Sequence, residues 1–201
     1  MNRNIILAGV GGQGLLALAA VIGEAARALG LDVRQAEVHG MAQRGGVVQS
    51  HLRYAERSLH SNLVRVGTAD LVLALEPMEA LRYLSYLSPT GAVVSNTVPL
   101  VNVPDYPEEK DVLGEIEKLA IHRLVDAGAL AKEAGALQAG NMVMLGAGAP
   151  FLELPHEALI AGIETVFSGK GPSIIETNVR AFRLGLAAPR PTSTSQASFP
   201  P

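Results

Sequence analysis

Short apolar runs alternate with longer stretches of helical period along this chain, and glycine or proline marks most of the boundaries. Asn4 to Ala8 is a short apolar run ending at Gly9, the pattern of a buried parallel strand. Gly9 to Gly14 form a loop, and Leu15 to Leu29, rich in Ala and Leu, predict a helix stopped at Gly30. Asp32 to Val38 predict a second strand. Val47 to Tyr54 alternate apolar and polar positions, with Gln49, His51 and Arg53 on the polar face. That predicts a strand, antiparallel or at an edge. Asp70 to Leu75 predict another buried strand. Glu76-Pro77 opens a helix running to Leu87, Ser88 to Gly91 read as a turn, and Ala92 to Ser95 as the next strand. Val98 to Lys110 hold three prolines and several acids, so they predict a surface loop. Asp111 to Leu119 predict a helix and Ile121 to Val125 a short strand, with Asp126 capping the helix that follows. Asn141 to Leu152, Pro155 to Phe167 and Pro172 to Leu186 predict three more helices. The last carries Ile175, Val179, Phe182 and Leu186 at helical spacing.

These elements predict an α/β protein: a single three-layer α/β/α domain with a mostly parallel or mixed sheet and a Rossmann-like start. The domain spans 1–187. The tail 188–201 is Pro, Ser and Thr with one Phe; it has too little apolar surface to order itself and is expected to be disordered. No internal repeat or linker divides the chain.

Composition narrows the function classes. Hydrophobic residues make up 48% and aromatics 4%, with no Trp, so the core is built of small aliphatic side chains that suit close helix-on-sheet packing. The net charge of -3 and the lack of a Lys/Arg block argue against a nucleic-acid partner. With no cysteine, the chain has no disulfide, no thiol nucleophile and no cysteine-held iron–sulfur cluster. The apolar run after Met1 is too short for a signal peptide or membrane span, so a soluble, cytoplasmic protein is expected, with no membrane partner. His39, His51, His60, His122 and His156 show no metal-ligand spacing, and no catalytic triad follows from the spacing.

Two stretches carry candidate chemistry. Gly9-Val10-Gly11-Gly12-Gln13-Gly14 satisfies G-x-G-x-x-G between a strand and a helix, where the motif has physical meaning. Glycines let the backbone approach a ligand closely. The helix after it presents N–H groups and a partial positive charge to a phosphate. The loop lacks the Lys-Ser/Thr ending of a P-loop. Two other readings stand beside a phosphate cradle: a tight turn that binds nothing, in a purely structural interaction module, and a Rossmann dinucleotide site in an NAD-binding dehydrogenase or sensor. In the dinucleotide reading, Glu37 at the end of the second strand would hold the ribose.

The second stretch, Glu37 to Gly46, places a carboxylate, an imidazole, an amide and a guanidinium at Glu37, His39, Gln43 and Arg44. The Arg44 fork suits a phosphate or carboxylate, and Gln43 can donate to a carbonyl. Equally, Arg44 can pair with a neighbouring acid or a partner subunit, and His39 can be a structural hydrogen-bonding residue.

The run Ile5 to Gly14, followed by Glu37-Val38-His39-Gly40-Met41-Ala42-Gln43-Arg44-Gly45-Gly46, resembles the gamma-type subunit of 2-oxoacid:ferredoxin oxidoreductases. The resemblance continues through Ala69 to Glu76 and Gly140 to Ala147, covering Met1 to about Ala187. The His-Gly-Met-Ala-Gln-Arg-Gly-Gly form is similar to the indolepyruvate type in particular. The resemblance implies a holoenzyme that decarboxylates a 2-oxoacid on thiamine diphosphate, with magnesium. It passes electrons through iron–sulfur clusters to ferredoxin and forms an acyl-CoA. A larger partner subunit would hold the thiamine and the clusters, and this chain alone would hold no cofactor and no catalytic residue. In relatives the glycine loop lies toward coenzyme A, which makes Gly9, Gly11, Gly12, Gln13 and Gly14 candidate phosphate contacts. Arg44 and Asn141 match family motifs without an assigned partner. An isolated chain is expected to expose an apolar docking patch and to homodimerise through it.

Overall fold

The computed structural model of the protein describes residues 1–39, 45–101, 105–189 and 192–193. Its central strand, β1 (Asn2–Val10), shows why the layers form. Ile5 and Leu7 are fully buried on one side of the sheet and Ile6 and Ala8 on the other. A strand buried on both faces needs cover on both. Among the described residues, five helices cover the Ile5 side: α1 (Leu15–Ala28), α4 (Ala127–Ala134), α5 (Gly140–Gly148), α6 (His156–Val166) and α7 (Pro172–Ala187). Two shorter ones cover the Ile6 side, α2 (Pro77–Arg82) and α3 (Glu109–Glu117).

The other strands are β2 (Asp32–His39), β3 (Val47–Ala55), β4 (Ala69–Ala74), β5 (Leu87–Asn96), β6 (Ile121–Val125) and the two-residue β7 (Thr192–Ser193). The sheet order is β2-β3-β1-β4-β5-β6-β7. β1, β4, β5 and β6 run parallel, while β3 is antiparallel to both β1 and β2. The three-layer mixed-sheet α/β architecture is the one expected. The Rossmann-like start is modified: β3 is inserted between β1 and β2, so it is an interior strand, and β2 forms the edge.

Several local readings change. The helix opened by Pro77 ends at Arg82, and a 3-10 turn (Leu84–Tyr86) leads into β5. Ser88 to Gly91 are not a turn; they lie inside β5. Ala69 pairs with Leu87 but Leu71 with Ala92, so the turn-forming residues make a bulge, a place where a strand accepts proline. The helix expected to reach Leu152 stops at Gly148, and Pro150 sits in a following 3-10 turn (Ala149–Phe151).

The face that α7 buries includes Phe182 of the expected stripe, with Val179 and Leu186 packed partly buried against the core, but small and polar residues join it. Asn178, Ala181, Phe182 and Gly185 are its buried residues. The reason is close packing against α5: a Cβ on Gly185 would lie 1.9 Å from the Val143 carbonyl oxygen, and one on Gly146 would lie 2.0 Å from that of Phe182. Bare backbone is required on both helices.

Arg123 of β6, 3% exposed, fastens the far edge of the domain. Its guanidinium donates to the carbonyls of Ala147 (2.7 Å), Gly185 (3.1 Å), Leu186 (3.3 Å) and Pro189 (2.9 Å), and to that of Ala188. These acceptors include C-terminal carbonyls of α5 and α7, where a cation is favoured. Beyond them, β7 pairs antiparallel with β6, so two residues of the tail excluded from the fold join the sheet. Residues 190–191 and 194–201 of that tail lie outside the described residues.

Candidate functional site

Chain direction sets the location of the site. From β1 the chain crosses by α1 toward the β2 edge, while β4 to β6 build the sheet the other way. A crevice therefore opens where the carboxyl ends of β1 and β4 diverge, as at other topological switch points. A cavity of about 290 Å³ occupies it. Gly12, Gln13 and Gly14 wall one side, and Leu75, Asn96, Ala127, Gly128, Gln138, Gly140, Asn141 and Met144 form much of the rest. The first residues of α1, α4 and α5 thus meet around one space, where their dipoles add a positive potential.

The three helix starts are not equivalent. At α4, the Ala127 and Ala129 N–H groups donate to Asn96 Oδ1 (3.0 Å) and Asp126 Oδ1 (2.8 Å); the Asp126 cap is the one expected. At α5, the Gly140 N–H donates to the Leu137 carbonyl and the Met142 N–H to Asn141 Oδ1 at 3.0 Å. At α1, Gly14 is the N-cap with φ 83° and no side-chain cap. Among the described residues, the N–H groups of Gly12, Gly14 and Leu15 have no acceptor. An anion would therefore be held at the glycine loop, by backbone donors.

The loop is pinned from three sides. Gln13 Oε1 accepts from the Val10 N–H at 2.8 Å and its Nε2 donates to the Leu75 carbonyl at 3.1 Å. The Gly11 N–H donates to the Gly46 carbonyl at 2.8 Å. Asn141 Nδ2 donates to the Gly14 carbonyl at 3.1 Å. Gln13 and Asn141, both expected near a ligand, spend their carboxamides on positioning the loop. Gly9 packs under it: a Cβ there would lie 2.9 Å from Gln13 Oε1.

Glu37 pairs in register with Ser50, which pairs with Leu7. It is therefore two strands from β1, about 10 Å at the usual spacing, and level with Leu7 rather than with the glycine loop. The inserted β3 thus separates it from the position that the dinucleotide reading requires. His39 ends β2 opposite Val48; its side chain, Gln43 and Arg44 lie outside the described residues. Sequence reasoning missed Asn96, whose only signal was a polar residue ending a buried strand, and the Leu137 to Ala139 segment, which had none.

On the other face, two buried carboxylates follow β4. Glu76 caps α2, accepting from the Glu79 N–H at 2.9 Å. It also accepts from the Leu100 N–H at 3.4 Å and the Tyr106 hydroxyl. Burial raises the Glu79 pKa above its ordinary 4.5, against the pull of Arg82, whose Nε lies 3.3 Å and 3.2 Å from the two carboxylate oxygens. Among the described residues no group of three or more His, Asp or Glu could hold a metal, and no helix is long and apolar enough to cross a membrane.

Fold and cavity together define a mixed-sheet α/β domain with a glycine loop beside a cavity at its switch point. The chain belongs to the pyruvate ferredoxin/flavodoxin oxidoreductase family, whose model matches residues 4–188, and within it to the small, gamma-type subunits. It is 40% identical over 197 residues to indolepyruvate oxidoreductase subunit IorB of Methanothermobacter thermautotrophicus, covering 94% of this chain and 98% of that relative. It is 36% identical over 194 residues to the subunit of the same name from Archaeoglobus fulgidus, covering 92% and 94%. The fold is similar to pyruvate oxidoreductase subunit PORC from Thermotoga maritima (TM-score 0.72, 23% identity, 96% of this chain and 98% of that one). It is also similar to part of 2-oxoglutarate:ferredoxin oxidoreductase from Magnetococcus marinus, solved with 2-oxoglutarate, coenzyme A and succinyl-CoA bound (TM-score 0.74, 23% identity, 92% of this chain and 30% of that one).

Proposed function

We propose that this chain is the small subunit of an indolepyruvate-type 2-oxoacid:ferredoxin oxidoreductase, and that its glycine loop binds the phosphates of coenzyme A. The holoenzyme oxidatively decarboxylates an arylpyruvate to an acyl-CoA. A larger subunit supplies thiamine diphosphate with magnesium and the iron–sulfur clusters, none of which this cysteine-free chain holds through cysteine. The observation that carries the reading is the cavity at the switch point, lined by Gly12 and Gly14 and walled by three helix starts, beside a loop whose Gly12, Gly14 and Leu15 N–H groups have no acceptor among the described residues. Leu137, 65% exposed, stands on the wall of this cavity as an apolar surface for the larger subunit to cover. Without that subunit, the isolated chain homodimerises through its exposed apolar surface.

The test is co-purification from the native source, followed by assays with indolepyruvate, phenylpyruvate, pyruvate and 2-oxoglutarate. The expected result is a complex with a thiamine-binding, cluster-bearing subunit and a preference for the arylpyruvates. A chain that never associates with such a subunit would overturn the assignment. An intact complex that prefers pyruvate would overturn only the substrate.

A further inference from the structure

Between β3 and β4 the chain runs from Glu56 to Thr68 without helix or strand. It is a strap on the Ile6 side of the sheet rather than a packed element. Val64 is the only buried residue in it, and Leu63 and Val66 are 55% and 60% exposed. Apolar burial therefore holds the strap at one point, where Val64 joins the core around Ile6 and Val72. Its ends are tied by backbone bonds from the Glu56 N–H to the Met1 carbonyl and from the Gly67 N–H to the Ser85 carbonyl. Between them, three side chains of β2 and β3 fasten it. Asp32 Oδ2 accepts from the Leu59 N–H at 2.7 Å. Arg53 donates to the Ser61 and Leu63 carbonyls at 2.9 Å and 3.5 Å. His51 Nδ1 accepts from the Val64 N–H at 3.1 Å.

A proton can undo the His51 fastening. His51 is buried, with Tyr86 edge-on to its ring at 5.3 Å. A backbone N–H only donates, so Nδ1 must carry a lone pair and the ring's proton sits on Nε2. A second proton can go only to Nδ1, where it meets the Val64 N–H as donor against donor. Burial holds the His51 pKa below the ordinary 6.5. In register, Ile6 of β1 and Ala36 of β2 flank it. Along that face the next charged side chains are Arg53 and Arg34, and beyond them Asp32, which lies 3.4 Å from Arg34. Tyr86 closes the site from the 3-10 turn, and the strap's Arg65, next to Val64, is exposed. The guanidiniums stand nearer along the strands than the carboxylate, so the local field also opposes a positive ring.

We propose that His51 is an acid-released latch: its protonation frees the strap between Glu56 and Gly67 and uncovers the sheet face around Ile6 and Val72. In the open strap the ring regains its ordinary pKa, so opening takes up one proton. The hold on the strap is complete above about pH 6.5 and is lost as pH falls below it, the open fraction rising by up to about tenfold per pH unit. Asp32 adds nothing in this range. The Leu59 N–H, helped by Arg34, holds its carboxyl below the ordinary 3.8, so it stays ionised.

Amide hydrogen exchange on the full chain at about pH 7 and about pH 5.5, corrected for the intrinsic pH dependence of exchange, reads the opening. The Val64 amide should lose at least about fivefold in protection at the lower pH. Leu59, whose acceptor does not titrate in this range, should lose protection in step, because the strap opens as one unit. Both should exchange faster than the Ile6 amide of the central strand at either pH. His51→Asn keeps an acceptor near the place of Nδ1 but takes up no proton; it should leave Val64 protected and abolish the pH dependence. The imidazole resonances of the native chain guard against a folding defect in that variant: His51 should carry its proton on Nε2 at neutral pH and titrate below 6.5. Loss of protection at Val64 alone, or Val64 and Leu59 exchanging no faster than Ile6, overturns the opening of the strap. Protection independent of pH, a pH dependence that survives His51→Asn, or a ring that titrates at or above 6.5 overturns the latch.

Discussion

Replacing Gly14 with Ala tests the geometry of the glycine loop most directly. Gly14 has φ 83°, and a Cβ there would lie 2.5 Å from Asn141 Nδ2. Two costs follow. An alanine in the left-handed region costs about 1–2 kcal/mol. Displacing the Asn141 amide removes its hydrogen bond to the Gly14 carbonyl, about 1 kcal/mol more. A total of about 2–3 kcal/mol lowers the melting temperature by roughly 5–10 °C in a domain of this size.

The two costs separate in a double-mutant cycle with Asn141→Ala. In that background the obstructing amide is already gone, so Gly14→Ala should cost only the backbone strain. The predicted coupling is about 1 kcal/mol, within the range measured for residues in contact. Melts of the four proteins provide it, and coenzyme A titration should show weaker binding wherever Gly14 is replaced. Additive losses, or a Gly14→Ala protein that melts within about 2 °C of the native one, would refute the claim that Asn141 braces the loop at Gly14.

Three further outcomes follow from the packing and the buried charges. Gly185→Ala should destabilise by several kcal/mol, because its Cβ would press on the Val143 carbonyl at 1.9 Å and α5 and α7 would have to separate; an unchanged melting temperature would contradict that crossing. Arg123→Met keeps the aliphatic stem but strips buried helix-terminal carbonyls of their donor. The unmet acceptors, about 1–3 kcal/mol each before water reaches them, should outweigh the relief of burying no charge. The result should be a loss near 3 kcal/mol, with faster amide exchange in β7; a more stable variant would show that desolvation of Arg123 dominates.

Glu79→Gln addresses pH. Burial raises the folded pKa of Glu79 above the ordinary 4.5, so its contribution to stability is fully present below pH 4.5 and is lost as pH rises through the folded value. Glutamine should therefore stabilise at pH 7 relative to the native chain, with the gain shrinking toward pH 4. A pH-independent difference between the two melting temperatures would count against the raised pKa.

Sequence by itself determined what depends on near neighbours along the chain. The Asn4 to Ala8 run became β1, the Ala/Leu-rich run after Gly14 became α1, Ile121 to Val125 became β6 unchanged, and Asp126 capped α4. Each rests on periodicity or a cap within a few residues. The family likewise was legible, because Gly9 to Gly14, Glu37 to Gly46 and Gly140 to Ala147 are contiguous runs.

Tertiary structure decided everything that joins distant segments. The alternation in Val47 to Tyr54 marks a strand, but only pairing energies set it between β2 and β1, and that choice moved Glu37 away from the glycine loop. Asn141 reaches a carbonyl 127 positions earlier in the chain, and Gly146 and Gly185 are required by contacts between two helices. The apolar stripe read on α7 held at Phe182 but missed Ala181 and Gly185 for the same reason: periodicity scores large side chains, whereas this helix also buries small ones to bring two backbones together. The cavity at the switch point is assembled from residues that no local pattern connects, since a concave site is a property of packed elements rather than of any one of them.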